Sequence, residues 1–401
     1  MKKTRILFLD IEGGYGGSSR SLFYLLSAID KNDILPEVWC RLNGPIIQKY
    51  NNLKIKVLHT PRMPHGSPVI RPSRNFISTL IYLYKFIRAF KFIRNLTARI
   101  NKDIDIVHAN HESLFFLVWW LKKIKRIKAP VVMHIRTVLP YSHWYKFQAR
   151  IIRKSVDHLI FITKHEKDFF GELSDLSFSN FSIIHNSYKK LSPKKTEKKS
   201  GRLNVLSLSN YHHCRGLDRL VDIAQILKDK KIKNIRFHLA GDMKLKGNLS
   251  GEIKLFEDSG RTFEDYVKYL RLNNFFVFYG HLDNVDNLLK KCDVLIKLTR
   301  ENNPWGRDII EGMAYSLPVM ACGSSETFIK NKTTGFLYPS DDKEFYAADV
   351  VKDLIYLSNS VEDLASMSYA SWLRINDITS PDITYKKTLA VWKLSLKNNE
   401  Y

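Results

Sequence analysis

Short uninterrupted runs of aliphatic and β-branched residues, each followed by a longer stretch with helical spacing, recur along the whole chain. Arg5–Leu9, Glu37–Arg41, Lys56–His59, Ile104–Ala109, Val131–Ile135, His158–Thr163 and Ser182–His185 form one such series. Asn204–Leu208, Arg236–Ala240, Phe275–Tyr279, Val294–Leu298 and Pro318–Ala321 form a second. Continuous rather than alternating apolar runs are the signature of parallel strands buried on both faces, which need helical crossovers between them. The two series are separated by residues 189–202, KKLSPKKTEKKSGR, a charged stretch with no apolar period that reads as a solvated linker. The pattern therefore predicts an α/β chain of two doubly wound, Rossmann-like domains. Their expected limits are 1–188 and 203–380, with an amphipathic helix at 381–401 that packs back on the first domain.

Charge separates the two halves as sharply as the linker does. Of the net +24, residues 1–200 carry +22 and residues 201–401 only +2. The first half thus expects an anionic partner. The four cysteines are scattered and form no CxxC pair, which excludes a disulfide scaffold and a structural zinc knuckle. The basic start resembles a signal peptide, but its apolar run, Ile6–Leu9, stops at Asp10. The longest apolar run, Leu114–Leu121, falls well short of the roughly 18 residues that span a bilayer. A cytoplasmic protein, held peripherally on the inner membrane face, is the expected location.

Two strand-to-helix turns carry the chemistry. Gly13-Gly14-Tyr15-Gly16-Gly17-Ser18-Ser19 follows the first strand, and such a turn brings backbone N–H groups and a helix N-terminus to a phosphate. It is neither a Walker A loop nor a complete GxGxxG, and a tight turn without ligand is the alternative. Asn303-Pro304-Trp305-Gly306-Arg307-Asp308-Ile309-Ile310-Glu311 follows the strand Val294–Leu298. Gly306 permits close approach, the amides of Arg307, Asp308 and Ile309 point at an anion, and Glu311 one turn on suits a ribose diol. A capped surface helix is the plainer alternative.

The stretch Arg300–Cys322, with Glu326 and Thr334-Gly335-Phe336-Leu337, resembles the signature of retaining nucleotide-sugar glycosyltransferases of family 4, which have the GT-B fold. The likeness extends through Gly16-Gly17, Asp105-Ile106-Val107-His108, Val132-Met133-His134 and His185-Asn186-Ser187. In the second half it takes in Arg215-Gly216-Leu217, Leu239-Ala240-Gly241-Asp242 and Tyr279-Gly280-His281. The resemblance implies two domains facing across a cleft and transfer from a UDP- or GDP-linked donor to a lipid-linked or envelope polysaccharide, of lipopolysaccharide, O-antigen or capsule type. It implies Gly16 and Gly17 under the donor phosphate and His134 on the reacting sugar or its phosphate. Arg215 would lie on the leaving diphosphate, the amides after Gly306 on a phosphate, and Glu311 on the ribose, with Glu326 of secondary rank. It implies no metal and no cofactor. Three positions depart from the family: Asn303 replaces its first Glu, Asn210 its diphosphate Arg, and Arg215 its Lys. Arg307 is a candidate to supply the missing cation. A non-catalytic or specificity-altered GT-B binding protein is the alternative these departures allow.

Asp103-Ile104-Asp105 spells a D-x-D, but at the entrance of a strand, the wrong end for a site. His212-His213-Cys214 offers metal-ligand types without a second cluster. Residues 75–100 carry Lys85, Arg88, Lys91 and Arg94 three apart, with Phe76, Leu80, Phe90 and Ile93 expected on other faces, and Lys122, Lys123, Lys125, Arg126 and Lys128 follow the run Phe115–Trp120. This mixture predicts contact with anionic lipid. The alternative is solvated cations over a core-facing helix. No nucleic-acid-binding motif is present, so nucleic acid is not expected as a partner.

Overall fold

The structure is a computed structural model of the 401-residue chain and describes residues 3–14, 16–66, 84, 86–138, 141–174, 179–194, 201–302 and 304–399. Residues 1–189 and 379–401 form one compact unit, and residues 190–378 form a second.

Among the described residues of unit 1, seven strands, β1 (Thr4–Asp10), β2 (Ile34–Cys40), β3 (Lys56–His59), β4 (Ile106–Ala109), β5 (Val131–Ile135), β6 (His158–Phe161) and β7 (Phe181–Ile183), pair in the order β3-β2-β1-β4-β5-β6-β7. In unit 2, β8 (Leu203–Leu208), β9 (Ile235–Ala240), β10 (Phe276–Phe278), β11 (Val294–Lys297), β12 (Val319–Cys322) and β13 (Gly335–Tyr338) pair in the order β10-β9-β8-β11-β12-β13. Every pairing within both sheets is parallel. Strand order reverses between β1 and β4 and again between β8 and β11. These are the two places where loops leaving the strand ends diverge and leave room for a ligand.

Five helices carry or support the candidate site residues: α1 (Gly17–Ser27), α2 (Phe90–Asp103), α3 (Arg219–Asp229), α4 (Arg307–Ala314) and α5 (Pro381–Lys397). Successive side chains of a strand point to opposite faces, so each buried strand of unit 1 serves two cores. Leu7, Leu9, Val107, Ala109 and Met133 meet Phe92, Ile93, Leu96 and Ile100 of α2. On the other face Ile6, Phe8, Ile106, Val132 and Ile160 meet Leu22, Leu25 and Leu26 of α1 and Val391 and Trp392 of α5. Pro381 opens α5, where its missing N–H and fixed φ carry no penalty. In unit 2, Val205, Phe237, Leu239, Ile296 and Met320 pack with Leu220, Ile223, Ala224 and Leu227 of α3.

Two sequence expectations change. The start of the linker is not free in solvent: the Lys194 amide donates to Ser316 Oγ at 2.9 Å, and Trp372 Nε1 donates to the Leu191 carbonyl at 2.7 Å, tying residues 190–194 to unit 2. A further strand of unit 2, β13, is absent from the second series of apolar runs: it is only four residues long and opens on Gly335. Gly335 has φ +152° and stands against the Val319 backbone, a position closed to any side chain.

Candidate functional site

At the switch point of unit 1, β1 ends in the buried Asp10, whose Oδ1 accepts the Ser19 hydroxyl at 2.7 Å. Burial lifts the Asp10 carboxyl above its ordinary range, against the lowering effect of that bond. Gly16 and Gly17 stand at the N-terminus of α1 as expected of an anion-binding turn, but the place is taken by the chain itself. Glu12 Oε2 accepts the amides of Ser18 at 3.0 Å and Ser19 at 3.4 Å, and also the Ser18 hydroxyl. A Cβ on Gly16 would run into that carboxylate. Glu12 therefore occupies the positive end of α1, the position sequence reasoning assigns to a phosphate. The signal for it, an acidic residue six positions ahead of the amides it caps, lies outside the usual capping spacings.

His134, near the end of β5, is 4% exposed. Its Nδ1 lies 2.8 Å from Nε2 of His108 on β4, the ring planes 25° apart, and Trp392 Nε1 of α5 lies 3.1 Å from His108 Nδ1. Burial, helped by the nearby Arg136 guanidinium, pushes His108 down to about 3 and holds His134 well below the usual histidine range. Arg136 itself is held by the Asn110 carbonyl at 2.7 Å, Asn110 Oδ1 at 2.5 Å and Asn186 Oδ1 at 2.6 Å. The fully buried Glu112 accepts the Arg136 amide at 2.9 Å and the Thr137 hydroxyl. Arg136, Glu112 and Trp392 are not foreseen from the sequence.

In unit 2, Arg215 is exposed on the turn after β8. Gly216, at φ +68°, lies so close to the Leu298 carbonyl at the end of β11 that no side chain fits between them. Arg300 fastens the same turn: its guanidinium donates to the His213 carbonyl at 2.5 Å, to both oxygens of Asp218 at 3.0 and 2.6 Å, and to Asp342 Oδ2 at 2.7 Å. Burial opposes the Arg300 charge, but the two carboxylates outweigh it and raise its pKa. Arg219 of α3, 2% exposed, joins the same Asp342 at 2.6 Å. The loops after β8 and β11 are thus one braced platform carrying Arg215.

Gly306, at φ +157°, is the N-cap of α4 and offers no side-chain cap to the helix. Lys297 Nζ bonds the Trp305 carbonyl at 3.0 Å and Asp308 Oδ1 at 2.8 Å, fixing the approach to the helix. The Ile309 amide donates to Asp308 Oδ1 at 3.0 Å. One turn on, Glu311 is 8% exposed, and its Oε1 receives Arg307 Nε at 3.2 Å and Nη2 at 3.0 Å. Arg307 and Glu311 are therefore partners of each other. Asn210 Oδ1 accepts the Asp242 amide at 2.8 Å, a turn-holding bond. Glu326 is exposed and accepts the Asn331 amide at 3.3 Å, which caps a local turn. Asn303 lies outside the described residues.

Asp103 pairs with Arg5 and Arg99, and Asp105 accepts the Arg5 amide at 2.7 Å. Among the described residues no three His, Cys, Asp or Glu side chains converge on a point. Of the basic stripe, Lys85 lies outside the described residues, as do Phe76 and Leu80, while Arg88, Lys91 and Arg94 are exposed. Of the apolar residues assigned to other faces, Ile93 is buried, whereas Phe90 is 54% exposed beside Ile87 at 71% and Tyr84 at 58%. Arg88 lies over the Tyr84 ring and Lys125 over the Phe90 ring, 5.6 and 5.3 Å from their centroids. The run Phe115–Trp120, by contrast, is mainly core, and Lys122 is spent on Asp157 at 2.9 Å.

Residues 15–188 match the family model described as Glycosyltransferase Family 4, and residues 189–370 match the one described as Glycosyl transferases group 1. No curated protein is significantly similar in sequence. Among solved structures, HepE of Anabaena, crystallised with UDP, is 17% identical with a TM-score of 0.71 and covers 98% of this chain and 100% of its own. A glycosyltransferase of Rickettsia africae ESF-5 is 18% identical with a TM-score of 0.71, covering 99% and 100%. The lipopolysaccharide outer core galactosyltransferase WaaB is 16% identical with a TM-score of 0.64, covering 98% and 99%.

Proposed function

Since the chain is a glycosyltransferase of the GT-B type, we propose that it moves a sugar from a UDP- or GDP-linked donor to a lipid-linked or envelope saccharide, retaining the anomeric configuration and using no metal. The observation that carries this reading is α4. A helix N-terminus that opens on a glycine at a switch point, followed one turn later by a nearly buried carboxylate, matches the needs of a diphosphate followed by a ribose. HepE has been crystallised with UDP-glucose as well as UDP, which supports the donor class.

In this reading Asp308 gives up the Ile309 amide, the amides after Gly306 and the Arg215 guanidinium receive the diphosphate, and Glu311 turns one oxygen from Arg307 to the ribose hydroxyls. Arg307, released in part, then supplies the positive charge that Asn210 lacks. The C1–O bond to the diphosphate breaks while the acceptor oxygen bonds C1 on the same face, and the acceptor proton passes to the departing phosphate oxygen. The chain's task is to hold geometry and stabilise charge developing on the phosphate. His134 holds the sugar or its phosphate. For a phosphate to reach Gly16 and Gly17, Glu12 must swing off the α1 amides, and Asn303 contacts the sugar without charge.

The exposed Ile87, Phe90 and Tyr84 beside Arg88, Lys91, Arg94 and Lys125 supply an anionic-membrane surface on unit 1, and Lys85 continues the three-residue spacing of the cations in the sequence. No helix among the described residues is long and apolar enough to cross a membrane. The competing reading, a donor-binding protein without turnover, draws on Asn210 being used structurally. Incubation with UDP- and GDP-sugars and lipid-linked acceptors separates the two: sugar transfer and nucleotide release support the enzyme, and saturable donor binding without release supports the binder.

A further inference from the structure

The three rings Trp392, His108 and His134 form a hydrogen-bonded row with a fixed direction. An indole N–H can only donate, so His108 Nδ1, at 3.1 Å from Trp392 Nε1, must be the unprotonated nitrogen. His108 is fully buried and neutral, its pKa pushed down to about 3 by burial and by Arg136, so its single ring proton sits on Nε2. That N–H faces His134 Nδ1 at 2.8 Å, which must accept it. His134, also neutral, then carries its own proton on Nε2, which has no partner among the described residues.

We propose that Trp392, on the last helix of the chain, sets the tautomer of His134 through His108, so that His134 presents a permanent neutral Nε2–H donor to an oxygen of the donor substrate. Trp392 and His108 are positioning residues. His134 is then neither a base, since its only lone pair is engaged by His108, nor a charged clamp. It is a hydrogen-bond donor selective for an acceptor oxygen, such as a sugar hydroxyl or a phosphate oxygen. The assignment of an oxygen partner rests on the glycosyltransferase reading above. The tautomers do not. The packing that enforces the row is tight: Trp392 is 1% exposed and meets Phe8 and His108 edge-on, at ring-centroid distances of 5.8 and 5.9 Å.

Without the indole, the row can reverse. His108 can protonate Nδ1 and accept at Nε2, and His134 then donates from Nδ1 and turns a bare Nε2 outward. The test is ¹⁵N NMR of the full chain labelled at histidine, at pH 7, on the wild type and Trp392→Phe, with kcat and KM for the donor measured on both. The wild type is expected to show both histidines as Nε2–H tautomers. Trp392→Phe is expected to show mixed tautomers at both and about a tenfold fall in kcat, the effect of one misdirected hydrogen bond. An Nδ1–H tautomer or an imidazolium at His134 in the wild type overturns the proposal, even where Trp392→Phe does not fold. Unchanged tautomers in Trp392→Phe also overturn it, and so does a tautomer change with unchanged kcat. A wild type that transfers no sugar but shows both Nε2–H tautomers would sink the functional reading and leave the relay standing.

Discussion

Removing the Glu311 carboxylate should be felt twice, once in the fold and once in the reaction, and the two effects are separable. Glu311 is 8% exposed, and one of its oxygens takes two N–H groups of Arg307. Arg307 is itself largely enclosed, with a side chain 16% exposed. Glu311→Ala therefore removes the carboxylate that is paired with this largely enclosed guanidinium. A fully enclosed pair broken this way costs about 3–5 kcal/mol, and access of water to this one reduces the figure to about 1–2 kcal/mol. For a unit of this size that is a fall in Tm of about 3–8 °C. The catalytic effect is larger if Glu311 also holds two hydroxyls of the donor ribose: a loss of about 100-fold in kcat/KM for the donor, equivalent to about 2.7 kcal/mol. Glu311→Gln keeps the volume and one acceptor oxygen, so it should melt closer to wild type while still losing at least about tenfold in kcat/KM. Melting curves with and without UDP, and initial rates at varied donor, read both effects on the same samples. Both variants keeping kcat/KM within about twofold of wild type, with Tm lowered, would mean that Glu311 serves Arg307 and not a substrate.

Arg215→Ala should lower kcat by about 100-fold with little change in Tm, because the side chain is exposed and the turn is held by Arg300 and Gly216, while Arg215→Lys should recover most of the rate. Equal loss in both variants would show a packing role. Stability should also fall on mild acidification. His108 has a folded pKa of about 3 against about 6.5 unfolded. Below about pH 6.5 the unfolded chain takes up a proton that the folded one refuses, so stability is complete above that pH and is lost toward about pH 3. Melts from pH 7.5 to 5 should decline, and His108→Gln should flatten the slope. An unchanged slope refutes the assignment. Arg88, Lys91 and Arg94 changed together to Ser, or Ile87 and Phe90 changed together to Ser, should release the protein from anionic vesicles at low salt without altering transfer to a short soluble acceptor. Sedimentation at about 50 and 500 mM salt, on either side of a large change in screening, reads this, and binding unaffected by salt would leave the stripe a solvated helix face.

What the sequence reveals is whatever is local and periodic. The buried strands announce themselves as apolar runs because both faces of each sheet are covered, and α4 announces itself through Gly306 and the acidic residues of its first two turns. The alternation of Ile6, Leu7, Phe8 and Leu9 between two cores needs no distant information. What stays hidden depends on contacts between distant parts of the chain. Trp392 lies 284 residues from His108, and Arg300 lies 82 and 42 residues from the carboxylates it joins. Glu12 reads as part of a glycine loop because nothing in its neighbourhood says that a carboxylate will turn back onto the helix it precedes. The spacing of the cations places Phe90 on another face, yet the helix phase set by Phe92, Ile93 and Leu96 turns it outward beside Ile87. β13 is legible only once β12 is there to pair with it.

The most direct test follows the anomeric carbon itself. A UDP- or GDP-sugar labelled with ¹³C at C1 is incubated with the full-length protein, chelator and a lipid-linked saccharide, and the C1 and H1 signals of donor and product are followed by NMR. An α-linked donor is expected to give an α-linked product with nucleoside diphosphate in equal amount, and Glu311→Ala to slow both signals together by about 100-fold at limiting donor. A β-linked product from the α-linked donor, or restoration of turnover only by added Mn²⁺, would contradict retaining transfer without a metal.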